Sequence, residues 1–235
     1  MLFRSDQRKA GREAGAKLTA LGADNSEDAK TRKVMAMLDR KGWLTGAAAP
    51  AAVAKFEPGK PWTNSLGMKF MPVGKVVFAI WDTRVQDYRA YADDADGVDA
   101  SWEKPGFQQG ETHPVVNVSW NDAKTFCAWL TSKEHQSGTL PVEWSYRLPT
   151  DAEWSVAVGL PEEAGNTPEE KDGKIKDVYP WGNQWPPPAK AGNYGDMTLK
   201  RECAQCTVID GYDDGFARTS PVGSFPANQF GLFDM

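Results

Sequence analysis

The chain has 235 residues, a quarter of them charged, with 27 Lys and Arg against 32 Asp and Glu for a formal net charge of −5. Its one basic cluster (Arg4, Arg8, Lys9, Arg12, Lys17) is soon diluted by acidic residues, so no basic face for nucleic acid is expected. No run of about 18 apolar residues exists to span a membrane, and early charged residues replace the apolar core of an export signal, which favours a cytoplasmic location.

Three cysteines cannot all pair, so a disulfide framework is not expected and a reducing compartment is the default. Ten tryptophans recur beside Gly, Pro and Asn, as aromatic pegs of a loop-rich fold would.

Along the chain, Ser26 with Glu27 and Asp28 marks a helix start, Val34, Met35 and Leu38 give it a partial apolar stripe, and Gly42 stops it. Residues 46–54 are nearly all Ala, with Gly, Pro and Val, which is linker composition. Residues 1–60 are therefore read as a helical segment plus linker, and 61–235 as the globular domain. There Met68–Val73 and Val76–Trp81 read as two strands around Gly74. Thr83 with Gln86 forms a capping box, followed by Val85, Tyr88 and Tyr91 at helical spacing. Ser119 with Asp122 repeats the box ahead of Ala123, Phe126, Cys127 and Leu130 on one helix face. Thr150 with Glu153 starts a third helix that Gly159 closes, fed by a strand ending at Pro149. Trp120 and Trp154 are expected to pack together. Residues 161–235 are rich in Gly, Pro, Asn and Asp and should form turns and short strands. The apolar ending Phe230–Met235 reads as a stop inside a buried strand.

His113, held extended by Pro114, reads as a structural histidine, and Cys127 as a core residue. Cys203-Ala204-Gln205-Cys206 is a C-x-x-C pair, open between metal or dithiol chemistry and chance. Asp210, Asp213 and Asp214 before Gly215-Phe216 fit a calcium loop or a solvated acidic turn equally well.

Five stretches in order resemble the sulfatase-modifying-factor (formylglycine-generating-enzyme) family: Asn64–Phe70, His113–Ala123 with Phe126–Leu130, Tyr146–Trp154, Tyr179–Asn183 and Asn228–Met235. The resemblance covers roughly residues 62–235. It implies an α+β, C-type-lectin-like fold with short strands, a few helices and many loops. It also implies an enzyme that uses copper(I), held by two cysteines, to oxidise a substrate cysteine to formylglycine in a sulfatase-type polypeptide (Cys-x-Pro-x-Arg). Those cysteines lie beyond the segment matched here, so no catalytic residue is assigned within the chain and the sequence reads as a fragment. The family's first calcium site falls on Asn193 and Tyr194, and on Asp214 and Phe216. A non-catalytic ligand- or protein-binding module on the same fold is the alternative. The polar excursion from Glu162 to Lys176 resembles a subgroup attached to a signalling kinase. The ergothioneine-synthase relatives are set aside, because residues 1–60 lack the His-rich ligands of their iron domain.

Overall fold

The structure, a computed structural model, describes residues 55–160 and 164–235. The helix expected after Ser26 and the Ala-rich linker lie outside the described residues. The chain divides into two compact units, Met1–Ala52 with Ala90–Gly97, and Val53–Arg89 with Val98–Met235. The described part of the first is Ala90–Gly97; the second carries everything else below.

Three antiparallel strands in the order β1 (Trp62–Thr63), β2 (Lys69–Val73) and β3 (Val76–Ala79) make one small sheet. Val73 pairs with Val76, so Gly74 and Lys75 form a two-residue hairpin turn, and Gly74 takes the left-handed φ of 60° that such turns need. Between β1 and β2 the buried Asn64 side chain accepts the N–H groups of Leu66 and Met68, each at 3.0 Å, in place of a longer ladder.

Helix α1 (Val85–Ala92) buries Val85, Tyr88 and Tyr91 as the spacing predicts. Its start differs from the expected Thr83–Gln86 box. Asp87 accepts the Arg84 N–H at 3.0 Å and also grips the Arg84 guanidinium through Nε and Nη2 at 2.9 Å. A carboxylate that satisfies a backbone donor and a buried cation at once outcompetes a neutral Gln one residue earlier.

A 3₁₀ turn (Ser101–Glu103) places Trp102 in the interior, its ring 5.6 Å from that of Tyr88. Helix α2 (Trp120–Ser137) begins at a complete Ser119–Asp122 box and ends at Gly138 with φ 70°. Phe126 and Leu130 are buried on its inner face; Cys127 and Ala123 are only half-buried. One turn on, Glu134 is fully buried, its carboxylate held by Ser65 N–H at 3.0 Å and by the Ser65 and Thr139 hydroxyls. Helix α3 (Asp151–Val158) starts at the Thr150–Glu153 box and stops at Gly159, φ 88°. No strand leads into it: residues 143–150 are irregular, and Pro149 ends no ladder. Trp120 and Trp154 do not pack together, being 64% and 44% exposed, because each lies at the solvent side of its helix start.

Beyond residue 160 the expected short strands are absent among the described residues, where only an isolated bridge pairs Tyr179 with Gly182. Instead come two short helices, α4 (Pro168–Lys171) and α5 (Met197–Glu202). Gly, Pro, Asn and Asp supply turns and caps here rather than ladders. The last segment returns to the sheet: Phe233 N–H donates to Ile80 O at 2.7 Å, and Leu232, fully buried, packs with Val73, Ile80 and Ala157. The architecture is α+β. Phe56, ahead of the expected start at residue 61, is buried against Trp62 and Trp144 and donates its N–H to Thr139 O at 2.8 Å.

Candidate functional site

Two places combine exposed chemistry with fixed geometry, a loop node around Asp214 and a ring-lined cavity beside the sheet. In the node, Asp214 Oδ2 accepts the Tyr194 N–H at 2.9 Å and Oδ1 accepts the Phe216 N–H at 2.8 Å. Asn193 Nδ2 donates to Arg218 O at 2.7 Å, which leaves the amide oxygen as its acceptor. Asn193, Tyr194, Asp214 and Phe216 are thus brought into one node from segments twenty residues apart. Asp210, in the same acidic run, is exposed and makes no bond within it.

The hub of this node is Asp196, which sequence reading did not single out. Fully buried, it caps α5 by accepting Leu199 N–H and ties in the far segment by accepting Asp214 N–H, both at 2.8 Å. Burial pushes its carboxyl up, but the N–H groups of Leu199, Asp214 and Gly215 with the Thr198 hydroxyl outweigh this and hold it below the usual range. At Asp214 the balance is reversed. Burial raises its carboxyl, the Tyr194 and Phe216 N–H groups oppose this, and the charges of Asp196 and Asp213 raise it further. A cation among these carboxylates would relieve that repulsion, and the donor set of one carboxylate, one amide and nearby carbonyls is the hard-oxygen chemistry calcium takes. Among the described residues no three His, Cys, Asp or Glu side chains gather as metal ligands, so carbonyl oxygens would have to complete any such shell.

The cavity has a volume of about 440 Å³. Phe56, Trp62, Phe70, Trp144 and Tyr146 form a continuous ring-on-ring wall, with centroids 4.7 to 6.2 Å apart, and Trp154 stands at the side reached from solvent. Burial pushes the Tyr146 hydroxyl well above its ordinary range, against a weak bond from Asn64 and with the Glu134 charge adding to the rise. Also on the lining is a bidentate pair in which Arg147 donates to both Glu153 oxygens, at 2.6 and 2.7 Å. That pair, together with the Thr150 N–H, holds the Glu153 carboxyl down at about 2. Trp144 was missed in the sequence, where Glu143-Trp144-Ser145 carries no periodic signal; the Arg147–Glu153 pair was present only as a strand-to-helix motif.

The remaining candidates have structural roles. His113 Nδ1 lies 3.0 Å from the Thr219 hydroxyl and bridges two distant loops. Burial raises the Cys127 thiol, the opposite of what a reactive cysteine needs. Cys203 and Cys206 are bonded to each other, so the C-x-x-C pair that the sequence left open is a disulfide. While Cys203 and Cys206 are bonded to each other they offer no free thiolate to copper(I), which wants two side by side, and Cys127 is a single thiol. No described helix is long and apolar enough to cross a membrane.

A family model described as "Sulfatase-modifying factor enzyme 1-like domain" matches residues 47–235. The mouse protein "Formylglycine-generating enzyme" is 29% identical over 141 residues, 58% of this chain and 29% of that protein. Its namesake from Thermomonospora curvata is 32% identical over 124 residues, 52% of this chain and 30% of that protein. Bovine "Inactive C-alpha-formylglycine-generating enzyme 2" is 32% identical over 142 residues, 58% of this chain and 36% of that protein. The chain thus spans well under two thirds of these relatives' own length. PvdO from Pseudomonas aeruginosa aligns in structure at a TM-score of 0.44 and 21% identity, over 76% of this chain and 71% of that one.

Proposed function

The chain belongs to the sulfatase-modifying-factor (formylglycine-generating-enzyme) family, and from that premise we propose that its described residues are a polypeptide-recognising part of such a domain. The ring-lined cavity carries the reading. Its wall is aromatic, and the Arg147–Glu153 pair adds charged groups at its lining that would orient a ligand, the mixture found in sites that hold one segment in one pose. The polypeptide is a sulfatase-type substrate or a protein ligand.

Oxidation of a substrate cysteine to formylglycine is the activity of the intact family enzyme, not of these residues. Its copper(I) needs a free thiol pair, whereas Cys203 and Cys206 are bonded to each other and Cys127 is single. Relatives named "Formylglycine-generating enzyme" and one named "Inactive C-alpha-formylglycine-generating enzyme 2" match the chain at similar identity, 29 to 32%, so likeness alone does not separate catalysis from binding. A non-catalytic binding module on a C-type-lectin-like framework is the second reading, favoured by the engagement of Cys203 and Cys206 with each other. The small sheet and long loops support that architecture.

We further assign calcium to Asn193 and Asp214 through side-chain oxygens and to Tyr194 and Phe216 through carbonyls. Calcium there would neutralise the crowded carboxylates and fix the loops; it has no chemical step. The recognition reading is tested by titrating a sulfatase-derived Cys-x-Pro-x-Arg peptide against tryptophan fluorescence. A saturable change that Trp144→Ala weakens about tenfold or more is the expected result, since an aromatic anchor in a pocket carries much of such binding. An unchanged signal at millimolar peptide overturns it.

A further inference from the structure

The Cys203–Cys206 bridge lies outside the cavity and closes one end of α5. Cys203 is the helix C-cap, donating its N–H to Leu199 O at 2.9 Å, and Cys206 N–H donates to Cys203 O at 3.0 Å. The other end of α5 is the Asp196 cap, whose carboxylate also holds the Asp214 N–H. A six-residue helix does not persist alone, so α5 depends on what ties its two ends. Further ties run along it to the same loop: Met197 N–H to Tyr212 O at 2.9 Å, and Thr198 and Arg201 to the Asp213 carboxylate, both at 2.8 Å.

Both bridged cysteines are half-exposed. Lys200 Nζ donates to Cys206 O at 2.9 Å and so brings a cation to the bridge, whereas Arg201 is paired with Asp213 and Glu202 with Arg218. Partial exposure and positive charge favour a departing thiolate and are the setting of reactive cysteines. Cys127 on α2 has no such cation paired to it.

We propose that Cys203–Cys206 is a thiol–disulfide exchange site that takes a dithiol as its reductant and couples its redox state to the Asp196–Asp214 node. The reductant thiolate attacks one bridge sulfur, forming a mixed disulfide while the Sγ–Sγ bond breaks. The other cysteine leaves as a thiolate and takes a proton from solvent. The second thiol of the reductant then displaces the sulfur still bound. Two electrons pass to the pair, and the reductant ends as a disulfide. Opening the bridge unties the carboxyl end of α5, so the amides held at its other end lose protection from solvent. This inference stands apart from the polypeptide and calcium readings.

The test uses the whole chain, air-oxidised, with dithiothreitol as reductant and iodoacetamide as trap, read by mass spectrometry under native conditions. Cys203 and Cys206 should resist alkylation without dithiothreitol and, with it, react about tenfold or more faster than Cys127. Hydrogen exchange at Leu199 and Asp214 should then rise about tenfold or more, while α2 is unchanged, since local opening need not involve the rest of the domain. Alkylation of the pair without reductant, or a bridge that opens only after denaturation, overturns the exchange site. Unchanged exchange at Asp214 after reduction overturns the coupling. The Cys203→Ser/Cys206→Ser double variant provides a second check: it should show the reduced pattern without any reductant, and oxidised-like protection at Asp214 counts against the coupling.

Discussion

Asp214 accepts the Tyr194 backbone N–H at 2.9 Å, a bond that joins two loops twenty residues apart and sets the geometry of the node. If calcium occupies that node, a hundredfold excess over its dissociation constant adds about 2.7 kcal/mol of stability by mass action. The melting midpoint should rise with calcium and fall with chelator, and magnesium should substitute poorly because it demands a tighter octahedral shell. Asp214→Ala should abolish the rise and Asp210→Ala should leave most of it. Identical melts with calcium and chelator would remove the assignment.

The Arg84–Asp87 pair is buried on both sides, with side-chain exposures of 11% and 1%. Asp87→Ala strands the guanidinium and the Arg84 N–H together, so urea unfolding should show a loss of about 3–5 kcal/mol. A loss below about 1 kcal/mol, the range of an exposed pair, would mean that water reaches Arg84.

Phe56 fills the cavity wall between Trp62 and Trp144. Phe56→Ala should cost about 3–5 kcal/mol by denaturant titration. A change within about 0.5 kcal/mol, typical of surface positions, would place Phe56 outside the core.

Glu153 gives a pH signature. The Arg147 pair holds its folded carboxyl at about 2, below its ordinary 4.5. A depressed carboxyl contributes stability above its unfolded value, and that contribution disappears as pH falls from about 4.5 towards about 2. Arg147 is half-exposed, so solvent screening limits the effect to about 0.5–1 kcal/mol. Glu153→Gln should therefore melt below the parent at pH 6 and with it near pH 2. A constant gap across that range would assign the loss to packing.

The parts of this fold that were legible in the sequence are those made by neighbours. Ser119 with Asp122, and Thr150 with Glu153, are three residues apart and close their boxes as read, and Gly159 stops its helix by its own φ. At α1 the spacing was misread by one residue, because Asp87 is chosen by a buried Arg84 that local pattern does not reveal as buried. Glu134 looks like an ordinary solvated helix residue; its burial rests on Thr139 and on Ser65, sixty-nine positions away, which local pattern does not reveal. Trp120 and Trp154 were expected to pack on each other, yet they are 64% and 44% exposed. The four node residues came from family resemblance, since acidic spacing left a solvated turn equally open. Asp196 carried a usable signal, an Asp directly before a short helical run, but its second bond to Asp214 is a matter of topology.

The central claim, recognition of a polypeptide without oxidation of it by these residues, is tested most directly in one sample. The chain is mixed with a sulfatase-derived Cys-x-Pro-x-Arg peptide, copper(I) and oxygen. Binding is followed by tryptophan fluorescence and the peptide by mass spectrometry. The account predicts saturable binding, weakened about tenfold or more by Trp144→Ala, with no formylglycine in the peptide above the metal-free control. Formylglycine above the metal-free control, or no binding at millimolar peptide, would contradict it.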